Sequence, residues 1–246
     1  MKFRGALVCA GIATAGLVIT ARHYRDWGAT PAEKAATLPG DALVPDPANV
    51  TTRAVGIQAS AEYVWPWLAQ IGQDRAGMYS YDFLENLIGL NINSSREIRP
   101  EWQLTVGDRV VLVPKGWLGL NSGYSLPVQL IVPQRALVLR QAPPEHPWNA
   151  VWSFTIEPVD ADHCRLISRG RDQQVPGLPG KIARVAALVM DPVTLVMTRK
   201  MLLGIKERAE TDLGRSAPTS VYQGSTIGVS TSSRDRRGVA SAVSGG

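Results

Sequence analysis

Arg75, Tyr79, Tyr81, Asp82 and Glu85 form the densest polar cluster in the chain. Asp82 and Glu85 stand three apart, so on a helix they share one face. One carboxyl could then act as general acid or base, with Arg75 holding a substrate oxyanion. The same groups can equally form a structural ion-pair network that fixes a loop. Glu101 and Gln103, just ahead of the turn Gly107-Asp108, are placed to cap the same region; Asp108 itself reads as a turn former.

A second set lies on a strand-like segment, Cys164–Arg171. Alternation puts Arg165, Ile167, Arg169 and Arg171 on one face and Leu166, Ser168 and Gly170 on the other. If the arginine face lines a cavity, Arg169 and Arg171 could hold a carboxylate or phosphate in bidentate fashion. If it faces outward, the small face makes room for a helix. Trp65, Trp67, Trp102, Trp117, Trp148 and Trp152 suit core and rim packing or stacking on a ligand. Met190, Met197 and Met201 suit a core, or a cavity that takes varied apolar ligands.

Other chemistries lack their residues. His146 and His163 have no nucleophile motif beside them, and no Gly-x-Ser-x-Gly occurs. Asp160, Asp162, His163 and Cys164 crowd one tight turn, a poor geometry for a tetrahedral metal, so no metal site is expected. There is no phosphate-binding loop of the Gly-x-x-x-x-Gly-Lys type and no Gly-x-Gly-x-x-Gly, so no cofactor is expected. Cys9 and Cys164 are the two cysteines and make no disulfide framework.

The elements that must position these residues follow from periodicity. Val50–Ile57 alternates as a first strand. Ser60 is placed to cap a helix through about Ile71, bent by Pro66. A second short helix is expected over Ser80–Ile88, closed by Gly89. Four strands follow at Arg109–Pro114, Ser125–Val132, Ala136–Gln141 and Ala150–Glu157, and then Cys164–Arg171. Asp191 as N-cap and Pro192 at the first helical position predict a long amphipathic helix of some twenty residues, with Val193, Met197, Met201 and Ile205 on one face. The pattern is α+β: a curved antiparallel sheet wrapped around the final helix, with two short helices after the first strand and a cavity between sheet and helix.

The ends differ from the middle. Residues 1–25 read as a membrane anchor or signal, with 17 uncharged residues from Gly5 to Ala21 between basic flanks. An uncleaved anchor is expected; a cleaved signal would instead make the chain secreted. Bases on both sides leave the orientation open. Residues 26–49, rich in Pro, Ala and Asp, read as an extended arm. The domain is expected over 50–213, and 214–246, with 8 Ser and 6 Gly, as a disordered tail. The formal charge is +5, but residues 26–213 hold 18 bases against 20 acids, which argues against nucleic-acid binding.

Several stretches carry a likeness: Trp27-Gly28-Ala29-Thr30, Leu38-Pro39-Gly40-Asp41, Val64-Trp65-Pro66-Trp67-Leu68, Gly72 through Asp82, Leu84-Glu85-Asn86, Pro100-Glu101-Trp102-Gln103, Val106-Gly107-Asp108 and Met197 through Glu210. With the order of elements, they resemble the SRPBCC superfamily of START, polyketide cyclase and birch-pollen-allergen-like helix-grip proteins, in a branch of uncharacterised bacterial members. The resemblance spans about residues 24–212 and implies the helix-grip fold and a cavity, not a reaction. Taken with the uncharged run at 5–21 and the methionine-bearing last helix, it makes the leading expectation a membrane-tethered protein that binds a small apolar or amphipathic, lipid- or polyketide-like ligand. Candidate ligand-binding residues are Tyr79, Tyr81, Glu101, Arg169, Arg171, Met197 and Met201. A cyclase- or hydrolase-like enzyme using Asp82 or Glu85 with Arg75 is one alternative, and a non-catalytic protein-interaction module is another.

Overall fold

Alternating small and β-branched residues build β1 (Asn49–Ile57), and the chain then turns into α1 (Ala61–Leu68). The computed structural model describes residues 25–81, 86, 93–117, 121–146, 148–173 and 180–216. Ser60 has the extended backbone of an N-cap, but its side chain makes no capping bond. The helix stops at Leu68, three residues earlier than the sequence suggests. Its buried face is Val64, Trp67 and Leu68.

The remaining strands are β2 (Arg109–Val113), β3 (Tyr124–Val132), β4 (Ala136–Gln141), β5 (Ala150–Pro158) and β6 (Cys164–Asp172). All pairings are antiparallel and the order is β1-β6-β5-β4-β3-β2. Register shifts in the β2–β3 and β3–β4 ladders mark bulges. Bulges bend a strand and raise its twist, which is how a sheet of this size curves.

The concave face is closed by α2 (Gly180–Ser216). Met201, Leu202, Ile205 and Ala209 are buried there against Leu137, Leu139, Phe154, Ile156 and Leu166 of the sheet. Burying each large side chain of that set contributes about 1.5–3 kcal/mol. Cys164 lies in the same core, and burial pushes its thiol pKa up to about 11, which keeps it an inert packing residue.

Two expectations are corrected. The final helix does not begin at Asp191-Pro192: it runs 37 residues from Gly180, with Pro192 inside it. Pro192 cannot donate to the carbonyl of Leu188, yet the alanine-rich stretch before it carries the helix through. Residues 26–49 are not extended. They hold a helical turn at Pro31–Ala35 with a Thr30–Glu33 capping box, a 3-10 turn at Asp41–Leu43, and buried Leu38 and Val44. The expected anchor (5–21), most of the second short helix and the tail beyond Ser216 lie outside the described residues. Among those described, no helix is long and apolar enough to cross a membrane.

Candidate functional site

Antiparallel register sets the inner face of the sheet in rows. One row reads Arg53, Ser168, Phe154, Leu137; the next reads Thr51, Gly170, Trp152, Leu139. The row beyond holds Asn49, Asp172, Ala150 and Gln141. In the opposite direction lie Val55, Leu166 and Ile156. The inner face therefore changes from apolar beneath the C-terminal half of α2 to polar toward the loops after β2, β4 and β6.

Arg53 is a charged group of this polar end, with the Asp172 carboxylate, bonded by Asn49 at 2.9 Å, in the row beyond. The arginine is 5% exposed, and its guanidinium donates to Thr198 Oγ1 at 3.2 Å and to Thr194 Oγ1 at 3.3 Å on α2. Trp152 Nε1 donates to Ser168 Oγ at 2.8 Å, and its ring lies 4.8 Å from Phe154. Gly170, bare beside Trp152, gives its space to the Thr51 hydroxyl, which would lie 2.8 Å from a Cβ there.

Next to them, Trp148 Nε1 donates to Gln141 Oε1 at 2.6 Å, and the Gln141 amide donates to the Tyr124 hydroxyl. Burial raises the Tyr124 phenol pKa, so it stays protonated at neutral pH. His146 stands between two of these rings, 6.1 Å from Tyr124 and 6.0 Å from Trp148. Among the described residues, its Nε2 is buried and has no hydrogen-bond partner. A buried polar atom without a partner costs about 1–3 kcal/mol, so it marks a place where a ligand group would be welcome.

The sequence-based candidates are scattered by the fold. Asp82 and Glu85 lie outside the described residues. Arg75 donates to the Arg109 carbonyl at 2.9 Å and pairs with Asp108 at 3.6 Å and Asp74 at 3.8 Å, tying one loop to the start of β2. Asp108 also accepts from the Thr105 N–H at 2.9 Å, the turn role expected of it. Glu101 sits exposed in a 3-10 turn, Pro100–Trp102. Tyr79 is buried; its hydroxyl donates to the Trp67 carbonyl at 3.0 Å and accepts from Gln70. Tyr81 has the Lys200 ammonium 6.0 Å above its ring. Met201 is core, and Met197 Sδ accepts from Ser80 Oγ at 3.5 Å. Asp160 and His163 close a hairpin with a 2.8 Å contact.

Arg165, Arg169 and Arg171 occupy the outer face, where they clamp the N-terminal segment. Arg165 forks onto the Glu33 carboxylate at 2.7 and 2.9 Å. Burial raises the Glu33 pKa, but bonds from Arg165 and Thr30 outweigh it and hold the carboxyl below its ordinary value. Arg169 is 2% exposed and donates to Asp41 Oδ2 at 2.8 Å, to the carbonyls of Glu33 and Ala36 at 2.6 and 2.7 Å, and to Thr52. Arg171 donates to the Val44 carbonyl at 3.0 and 3.1 Å. These donors are engaged by the chain itself, away from the inner face.

Arg53 and Gln141 were missed, though alternation carries the signal. Arg53 shares a face with Val55 and Ile57, and Gln141 with Leu137 and Leu139. A polar residue closing an apolar stripe is what sets the polar end apart.

No protein-family model matches the sequence, and no curated protein matches it. Solved structures similar to the chain include a Thermobifida fusca protein, at 17% identity over 66% of this chain and 93% of that one, TM-score 0.41. Another is a point mutant of norcoclaurine synthase from Thalictrum flavum, at 15% over 67% and 96%, TM-score 0.39. A third is the di-domain ARO/CYC protein StfQ of the steffimycin biosynthetic pathway, at 14% over 67% and 51%, TM-score 0.39. Six antiparallel strands in the order β1-β6-β5-β4-β3-β2, closed by a long C-terminal helix on their concave face, are the helix-grip α+β architecture, and this chain has that fold.

Proposed function

We propose that the chain binds a small amphipathic molecule at the polar end of the interior between the sheet and α2, and is tethered to a membrane through residues 5–21. The observation that carries the binding reading is the buried Nε2 of His146, unpartnered among the described residues, within a wall of aromatic rings. Such a wall favours a planar apolar body, and the imidazole nitrogen favours a ligand hydroxyl or carbonyl. The reading needs no covalent step, and none of the groups in this cluster is an activated nucleophile.

The tether is supported by the uncharged run and its basic flanks. Because the segment from Trp27 to Pro45 is bonded to the sheet, few residues separate that run from the domain. The domain would then sit close to the lipid surface, where amphipathic molecules partition.

The test is a titration of the full chain with 1,8-dihydroxyanthraquinone, followed by quenching of tryptophan fluorescence. Saturable binding is expected, and His146→Phe, which keeps the ring but removes its nitrogens, is expected to weaken it about tenfold. Equal affinities for the two proteins would overturn the reading.

A further inference from the structure

A cavity lies beside α2, between it, α1 and residues 79–80 and 94–96, away from the His146 cluster. Its volume is about 260 Å³, just below the usual range for drug-sized ligands, so it suits a small metabolite. Tyr79 and Trp67 form one wall, packed edge to face with ring centroids 6.0 Å apart. Arg208 covers that wall, 4.5 Å above the Tyr79 ring, and is anchored by bonds to the carbonyls of Ser95 at 2.8 Å and Gly204 at 3.1 Å.

This wall is built rather than incidental. Tyr79 adopts φ 52°, a left-handed conformation that bulky residues rarely take. Gly204 lets the Tyr79 backbone press against α2, since a Cβ there would lie 2.4 Å from the Tyr79 carbonyl oxygen. Strain held in this way is commonly found at binding sites. The cavity therefore exists before any ligand arrives, which lowers the ordering cost of binding.

Its charges are unusual. Arg96, Lys200 and Glu207 all line the cavity, and among the described residues none of the three side chains makes a hydrogen bond or ion pair. The Asp212 carboxylate, by contrast, accepts from Trp67 Nε1 at 2.9 Å. Beside the bonded Arg208 and Asp212, two more cations and one more carboxylate thus meet the same small space without bonding one another directly. We propose that this cleft is a binding site for a small zwitterion, its anionic group meeting Lys200 and Arg96 and its ammonium meeting Glu207. A molecule with both charges satisfies all three side chains, whereas a simple anion or amine leaves one sign unmatched. The site goes beyond the amphiphile reading, because none of its residues belongs to the His146 cluster.

Calorimetric titration of the full chain with 6-aminohexanoate and with phosphoethanolamine tests this, with hexanoate and hexylamine as single-charge controls. At least one zwitterion is expected to bind more tightly than either control; which of the two binds tells a carboxylate from a phosphate ligand. Glu207→Gln and Lys200→Gln are each expected to weaken that binding about tenfold. Trp152→Ala, in the sheet–helix interior, is expected to leave it unchanged, so failure of the amphiphile reading would not be mistaken for failure here. Absence of zwitterion binding, hexanoate binding as tightly as 6-aminohexanoate, or insensitivity to both substitutions would overturn the proposal.

Discussion

Replacing Arg169 by methionine is expected to lower the unfolding free energy by about 3–5 kcal/mol, the cost of breaking a buried ion pair by removing one partner. Asp41 is 7% exposed and would keep its charge with only the Leu38 N–H at 3.0 Å and the more distant Arg171 to offset it. The carbonyls of Glu33 and Ala36 would lose their donors as well. A loss of that size is a large part of the 5–15 kcal/mol typical of a whole domain. Urea denaturation of R169M should show the midpoint falling sharply. The double variant R169M/D41L should recover part of the loss, because it removes the stranded carboxylate. A midpoint shift worth less than about 0.5 kcal/mol, the range of ordinary surface substitutions, would mean that the N-terminal segment is not clamped as described.

Gly204→Ala is expected to destabilise the protein by about 1–3 kcal/mol, although glycine to alanine inside a helix ordinarily gains about 1 kcal/mol. The sign reverses because the new methyl would stand 2.4 Å from the Tyr79 carbonyl oxygen and 2.8 Å from its Cβ. Neither neighbour is the far end of a flexible side chain, and Tyr79 is pinned through its hydroxyl by Trp67 and Gln70. Gly214 supplies the control on the same helix. Nothing lies within 4 Å of its Cβ position, so Gly214→Ala should be neutral or slightly stabilising. Thermal melts of the two variants side by side decide the matter: if G204A melts at or above the wild-type temperature, α2 does not press on Tyr79.

The strands were legible because their apolar and β-branched runs are short and bounded by turn residues, although burial itself runs in blocks of four on β1, β4, β5 and β6. Ala136–Gln141 matches residue for residue, and the others match within two residues at each end. The start of α2 was not legible. Asp191-Pro192 has the form of a cap and a first helical residue, and only the packed fold reveals that the helix already runs through it. The clamp on residues 27–45 was hidden for another reason. The arginines on β6 and the acids Glu33 and Asp41 lie more than 120 residues apart, and neither composition nor periodicity pairs them. Local signal was present all the same in the Thr30–Glu33 capping box. Among site residues, Tyr79 was found by its place in a polar cluster. His146 was passed over because it has no nucleophile beside it, whereas its place here depends on Tyr124 and Trp148 coming together around it.

Binding of a small amphipathic molecule at the polar end of the sheet–helix interior is open to direct observation. Native mass spectrometry of the full chain, released from detergent after incubation with a mixture of lipids and polycyclic aromatic phenols, tests it most directly. A discrete mass increase from one retained small molecule is expected in the wild type and not in Trp152→Ala. A wild-type mass that stays at the bare-chain value throughout the mixture, or an adduct equally retained by the variant, would contradict it.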